Sequence, residues 1–256
     1  MRIARFATPS ASLSWGVVEG QDAPTVAAIE GHPFAGITFR GERWALPDVR
    51  LLSPVLPSKV VAVGRNYAEH ARELGNDVPE TPLLFLKPST SVIGTGDVIR
   101  LPGDSQQVEH EAELAVVIGI PAKDVVREKA LDHVLGYTVA NDVTARDQQR
   151  ADVQFTRAKG YDSFCPLGPW IETVLDPVDL RVTAAVNGQL RQDGRTSQMV
   201  HDVPSLIAFA SSIMTLLPGD VILTGTPAGV GPIRDGDTVS IEIEGIGTLT
   251  NEVRAR

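Results

Sequence analysis

The run Val108-Glu109-His110-Glu111-Ala112-Glu113-Leu114-Ala115-Val116-Val117-Ile118-Gly119 decides how this chain is read. Leu114 to Ile118 is an unbroken apolar stretch of β-formers closed by a glycine, which predicts a strand entering a core. Side chains i and i+2 of a strand share a face, so Glu111 and Glu113 project side by side with Cα atoms about 6.6 Å apart at roughly 3.3 Å per residue. Two carboxylates at that spacing cannot both stay ionised in a dry site without a cation. A hard divalent ion is the natural remedy. An isolated Glu-x-Glu is more often solvated on the outer face of an edge strand, so the rest of the chain has to choose. On a regular strand His110 points away from the pair.

The composition is that of ordinary soluble globular material: 256 residues, 43% hydrophobic and 21% charged, with a formal net charge of -9. An acidic chain lacks the basic face that nucleic acid requires. No apolar run is long enough to span a bilayer. The single cysteine, Cys165, excludes an internal disulfide and a cysteine-based zinc cluster. The opening Met1-Arg2-Ile3-Ala4-Arg5-Phe6 lacks a signal-peptide core, and the expected location is the cytoplasm.

Residues 1–55 alternate short apolar strands with turns and end in Ser53-Pro54-Val55-Leu56-Pro57-Ser58, the pattern of a small β-rich N-terminal domain and a linker. Residues 56–256 read as the catalytic domain. They begin with the strand Val60-Val61-Ala62-Val63-Gly64 and a short helix from about Tyr67 to Leu74, with Asn66 as N-cap and Gly75 beyond its end. Strands are expected at Leu83–Leu86, Leu114–Ile118, Tyr137–Ala140 and Val221–Leu223, helices near Glu128–Val134 and Pro204–Met214, and a hairpin at Val239–Thr250. Leu206 to Leu217 reads as a core helix rather than an interface. Many short strands with few helices give a mixed, β-rich α+β fold.

His70 and Glu73, three apart on the short helix, share a face, so the carboxylate can orient the imidazole as in a supported general base. Asp142 ends a strand, with Arg146 and Gln149 one turn further on. Lys159 lies in a stretch rich in loop-formers, where a lysine can fix a substrate carboxylate but is more often solvated. The segment Thr224-Gly225-Thr226-Pro227-Ala228-Gly229-Val230-Gly231 is glycine-rich enough to bring backbone amides to an anion. It lacks the ending of a phosphate loop, and no nucleophile elbow, dinucleotide fingerprint or zinc-peptidase helix is present. Cys165 precedes proline among aromatics and reads as a packed small hydrophobe. His32, His110, His133 and His201 have no evident partners in the sequence.

Taken together, Gly64-Arg65-Asn66-Tyr67-Ala68-Glu69-His70, Phe85-Leu86-Lys87-Pro88, Glu111-Ala112-Glu113-Leu114, Asn141-Asp142-Val143-Thr144-Ala145-Arg146-Asp147, Lys159 through Pro166 and Leu223-Thr224-Gly225-Thr226-Pro227 resemble the fumarylacetoacetate hydrolase family from about Lys59 to Val253. The lead region resembles, more weakly, the small first domain of its bacterial two-domain members. The resemblance implies the family's β-sandwich roll, a homodimer, and Glu111, Glu113 and Asp142 as ligands to Mg²⁺ or Mn²⁺. It also implies Arg146, Gln149, Lys159 and Thr226 as contacts to a small anionic oxo acid, and His70, Glu73 and Lys159 as catalytic groups. Family chemistry begins from a 2-oxo acid or 1,3-dicarbonyl compound whose carbonyl the metal turns into an electron sink. Carbon-carbon hydrolysis, oxaloacetate-type decarboxylation and isomerisation of hydroxydiene dioates are all open to such a site, as is a non-catalytic dicarboxylate-binding role. The retained His70-Glu73 pair favours hydrolysis or decarboxylation. The segment Ala68 to Val78 is expected to act as a lid, hinged at Gly75-Asn76-Asp77.

Overall fold

The quoted run forms two strands, Val108–His110 and Ala112–Ile118, in a computed structural model that describes residues 1–256. The second is buried along its whole length and lies near the middle of a twelve-stranded sheet. Its alternate residues serve two cores. Leu114, Val116 and Ile118 pack with Val182, Ala184, Val239 and Ile241 of a separate five-stranded sheet, whereas Ala115 and Val117 pack on the other face with Val60, Ala62, Val221 and Leu223. Cover on both faces explains why the run is continuously apolar instead of alternating. The architecture is α+β and dominated by strands, with four short α-helices.

The register around this strand builds the site. Ala112–Ile118 runs antiparallel to Val134–Asn141, with Ala112 opposite Asn141, and antiparallel to Val221–Leu223 on its other side. Val221–Leu223 in turn runs parallel to Val60–Gly64, which pairs with Leu83–Lys87. The segments that follow Gly64, Asn141 and Leu223 therefore emerge together at one edge of the sheet, next to Glu111 and Glu113.

The first strands, Arg2–Ala7, Leu13–Glu19, Thr25–Ile29 and Phe39–Ala45, form an antiparallel meander. They extend the large sheet through Arg2 opposite Glu172 and Ile3 opposite Ile171 on the strand Cys165–Glu172. A small core of Ala4, Phe6, Val18 and Val26 lies beneath the meander. Gly16 is required there, because a Cβ would sit 2.6 Å from the Ala27 carbonyl oxygen.

Several local expectations are corrected. The helix near the site spans Ala68–Glu73 and begins at Tyr67 without a side-chain cap. Asn66 caps nothing: its Nδ2 donates to the carbonyls of His201 (2.9 Å) and Thr224 (2.7 Å), and its Oδ1 accepts from the His201 amide (2.8 Å). The three bonds clamp the residue just before this helix to two distant loops. The helix expected near Glu128–Val134 is a 3₁₀ helix over Arg127–His133, and the longest helix is Val203–Ile213, capped by Asp202. Its Leu206, Ile207 and Ala210, with Leu216 beyond it, lie in the main core. Three histidines without evident sequence partners have them in space: His110 bonds Gln192, His133 bonds the Pro121 carbonyl, and His32 stacks on Phe34 and packs tilted against Trp15. Cys165 is fully buried and burial pushes its thiol up to about 12, consistent with a packing role.

Candidate active site

Glu111 occupies the break between the two strands, a position stabilised by its amide donating to Asn141 Oδ1 (3.0 Å) and its carbonyl accepting from the Asp142 amide (2.9 Å). The antiparallel register thus brings Asp142, remote in sequence, against the Glu-x-Glu pair. One carboxylate oxygen from each of Glu111, Glu113 and Asp142 lies within 4.8 Å of the others, and all three residues are buried.

Cations crowd around two of these carboxylates. Glu111 accepts from Arg146 Nη2 and from Lys159 Nζ (2.8 Å), and Asp142 accepts from Lys159 Nζ (2.6 Å) and Lys87 Nζ (2.5 Å). Arg146 also donates to Glu109 (2.8 Å) and Gln149 (2.5 Å). Lys159 sits on the short helix Thr156–Gly160 and is 2% exposed, so the solvated alternative for a loop lysine does not apply. Burial works against the charge of Glu111, but the Lys159 ammonium and the Arg146 guanidinium outweigh it and hold the carboxyl well below its ordinary range. Burial likewise opposes the Lys159 charge, and Asp142 and Glu111 outweigh it and raise the ammonium.

Glu113 is the exception. Its single donor is the Gly225 amide, 2.6 Å from Oε2. Burial first, and then the charges of Asp142 and Glu111, push its carboxyl well above the normal range. The donor set fits a divalent cation: oxygen ligands only, two of them flanking Ala112 in one run, with one carboxylate short of positive charge. Four buried carboxylates, Glu109, Glu111, Glu113 and Asp142, face three cations, Lys87, Arg146 and Lys159. A divalent ion would turn that single negative excess into a single positive one, which suits an anionic acid.

The cluster forms the floor of a cavity of about 270 Å³, which is also lined by His70, Arg65, Gln149, Arg150, Phe85, Phe155 and Thr226. His70 Nδ1 lies 3.3 Å from Glu73 Oε2, and Glu73 accepts from the Gly229 amide at 3.1 and 3.2 Å. The amides of the glycine-rich loop do meet anions, as its composition suggests, but the anions are the protein's own Glu73 and Glu113. Thr226 Oγ1 donates to the Ala112 carbonyl (2.8 Å) and accepts from Gln192 Nε2 (2.7 Å). Gln192 Oε1 accepts from the Ala112 amide (3.0 Å) and bonds His110 Nδ1 (3.0 Å). This buried amide fixes the peptide between the two glutamates.

Every residue expected at the site is brought to it: His70, Glu111, Glu113, Asp142, Arg146, Gln149, Lys159 and Thr226 line one cavity, and Glu73 supports His70 from behind. Sequence reasoning missed Lys87, Glu109, Gln192, Arg65 and Arg150. Lys87 gave the clearest local signal, because a lysine closing an apolar strand and followed by proline needs a buried partner.

The Fumarylacetoacetate (FAA) hydrolase C-terminal family matches residues 59–254, and the Rv2993c-like N-terminal family matches residues 1–54. The chain belongs to the fumarylacetoacetate hydrolase family. It is 55% identical over 260 residues to Protein Rv2993c of Mycobacterium tuberculosis, covering 99% of this chain and 98% of that one. It is 48% identical over 198 residues to the mitochondrial oxaloacetate decarboxylase of Dictyostelium discoideum, covering 74% of this chain and 90% of that enzyme. A crystal structure of 5-carboxymethyl-2-hydroxymuconate delta-isomerase from Mycobacterium smegmatis superposes over the full length of both chains with a TM-score of 0.94 at 55% identity. The chain is therefore an enzyme of a divalent-metal-dependent family of hydrolases, decarboxylases and isomerases, with a buried acidic triad suited to the ion. No helix is long and apolar enough to cross a membrane.

Proposed function

We propose that the enzyme uses Mg²⁺ or Mn²⁺, held by Glu111, Glu113 and Asp142, to act on a 2-oxo acid or 1,3-dicarbonyl compound through an enolate, cleaving a carbon-carbon bond by hydrolysis or releasing CO₂. The observation that carries this reading is the convergence of three buried carboxylates in a cavity that is also lined by His70, which is bonded to Glu73. When bound, the ion supplies a Lewis acid for the substrate's keto and carboxylate oxygens.

The chain's own groups supply the remainder. The bond from His70 Nδ1 to Glu73 orients the ring and leaves Nε2 as the atom that takes up or returns a proton. Lys159 balances Glu111 and Asp142 and sits where it can also meet a developing negative charge. Arg146, Gln149 and Thr226 line the same cavity as contacts for the acid end of the substrate. Proton movement alone, giving isomerisation of a hydroxydiene dioate, is the second reading, and the full-length likeness to an isomerase favours it.

Ala68 to Val78 serves as the lid in this account, with Gly75 in a left-handed conformation (φ +69) as a hinge and the Glu73 bonds to Gly229 as a latch. Residues 1–55 are a small appended domain, and all sixteen residues lining the cavity come from the 56–256 unit. A homodimer in the cytoplasm completes the proposal.

The test is a panel assay with Mg²⁺ that compares acetylpyruvate cleavage, oxaloacetate decarboxylation and hydroxydiene dioate isomerisation. Turnover of at least one acid that disappears on chelation and returns with Mg²⁺ or Mn²⁺ is expected. Turnover undiminished by chelation would contradict the reading.

A further inference from the structure

The strand Gln189–Arg195 forms an edge of the five-stranded sheet and is mostly exposed, with only Gln192 and Gly194 buried. Side chains two apart share a face of a regular strand, yet Leu190 is 57% exposed and Gln192 is fully buried. The register explains the inversion. Ala184 faces Gln192 and Ala185 faces Leu190, which leaves Arg191 as the extra residue of a β-bulge. A bulge re-aims the side chain beside it. A strand that exposes its leucine and buries its glutamine reverses the ordinary preference, so the amide is inside for its bonds.

Every donor and acceptor of that amide is used. Oε1 accepts from the Ala112 amide and from His110 Nδ1 (both 3.0 Å), and Nε2 donates to Thr226 Oγ1 and to the Pro227 carbonyl (both 2.7 Å). The Ala112 N–H and the Pro227 carbonyl admit one orientation of the amide, so His110 Nδ1 carries the proton in its bond. His110 Nε2 is buried without a partner, and the ring is tied through Gln192 alone. Thr226 Oγ1 closes the circle by donating to the Ala112 carbonyl (2.8 Å). Two side chains thus meet the backbone of Ala112 where the adjoining strand, which ends at Leu223, no longer can.

The glycine-rich loop rests on the same strand. A Cβ at Gly194 would lie 2.5 Å from Pro227 Cβ, and one at Gly229 would lie 2.2 Å from the Arg191 carbonyl oxygen, so both approaches require glycine. Gly225 and Gly229 of this loop donate to Glu113 and Glu73. We infer that Gln192 is a positioning residue of the active site: its amide, lodged between Ala112 and Thr226, fixes the backbone of Glu111 and Glu113 against the glycine-rich loop and holds the two carboxylates where they can share one ion. This rests on the reading given under Proposed function and adds a residue outside the cavity on which ion affinity depends. Gln192 does not line the cavity, so its effect passes through Ala112 and Thr226. Groups that orient metal ligands in this way typically contribute 10- to 100-fold to affinity.

The test is a calorimetric titration of chelator-stripped, full-length protein with Mn²⁺, beside urea unfolding of the same samples. Gln192→Met keeps the volume of the side chain and removes all four bonds; Thr226→Val breaks the circle from its other side with a smaller disturbance. Gln192→Met should bind Mn²⁺ about 10- to 100-fold more weakly than the wild type, with Thr226→Val weakened in the same direction. Asp220→Asn, at a buried carboxylate outside the cavity, should lose stability and bind Mn²⁺ as the wild type does. Wild-type affinity in folded Gln192→Met, or in Thr226→Val where Gln192→Met does not fold, would overturn the assignment. So would an equal weakening in Asp220→Asn, because affinity would then follow stability alone. If the wild type itself binds no Mn²⁺, the metal reading falls and the inference with it.

Discussion

The two parallel strands Val60–Gly64 and Val221–Leu223 carry a buried carboxylate cluster at each end, and the two clusters differ in how completely their charges are met. At the entry end, Asp220 accepts from the Ser58 amide (3.1 Å) and hydroxyl (2.6 Å), the Lys59 amide (3.2 Å), the Leu217 amide (2.8 Å) and the Lys59 ammonium. At the exit end, Glu113 receives one amide and faces two other carboxylates. A closed set of donors suits the first cluster to a structural role, and an open one suits the second to the cation proposed for it. Burial alone does not separate structure from function here, and the count of donors per carboxylate does.

Substitutions should break this contrast in opposite directions. The largest effect is expected for Glu111→Ala or Asp142→Ala: metal-dependent turnover should fall by about a thousandfold or more, the scale of lost Lewis-acid stabilisation, with the circular dichroism spectrum retained. His70→Ala should lower turnover by about 10²- to 10⁴-fold, as for loss of a general acid-base group. Oxalate should still bind to it in calorimetry; loss of oxalate binding with turnover intact would exchange the roles assigned to the histidine and the carboxylates.

Stability provides the finer test. Asp220→Asn should cost about 1–3 kcal/mol in urea unfolding at neutral pH, because a buried acceptor of five donors is weakened. Glu113→Gln in metal-free protein should cost nothing and can gain about 1 kcal/mol, since it removes like-charge repulsion. Equal losses in the two variants would erase the distinction. For Asp220, burial raises the carboxyl, but the Leu217 amide, Lys59 and Ser58 outweigh it and leave the folded-state pKa depressed. A depressed carboxyl contributes stability above its unfolded value near 3.8 that is lost as pH falls through the lower folded value. The wild type should therefore lose more stability between pH 5 and strongly acidic conditions than Asp220→Asn, measured as the change in urea midpoint. The smallest expected effect is in hydrogen exchange: amides of Ala68 to Val78 should gain protection when Mg²⁺ and oxalate are added, and equal protection with and without ligand would remove the lid.

Much of the site is legible in the amino-acid sequence. Glu111 and Glu113 flank Ala112 at the head of an apolar strand, although Glu111 falls in the break before that strand rather than on it, and His70 and Glu73 share a helical face; these patterns depend on local periodicity alone. Asp142 and Arg146 need the family resemblance, because only the register of Ala112 opposite Asn141 brings them to the glutamates. Lys87, Glu109 and Gln192 stay hidden for the same reason: each acts through a partner at least 34 residues away. The N-cap reading of Asn66 fails because a capping pattern cannot reveal three tertiary bonds that claim the side chain. The meander of the first strands is periodic and readable, but its union with the large sheet at Glu172 spans the chain and leaves no local trace.

The central claim is that the open cluster holds one divalent ion. Chelator-stripped protein titrated with Mn²⁺, with the free ion followed by electron paramagnetic resonance, should bind one ion per chain in the wild type and none in Glu111→Ala, while Asp220→Asn binds as the wild type does. One ion per chain in Glu111→Ala, at wild-type affinity, would contradict the account.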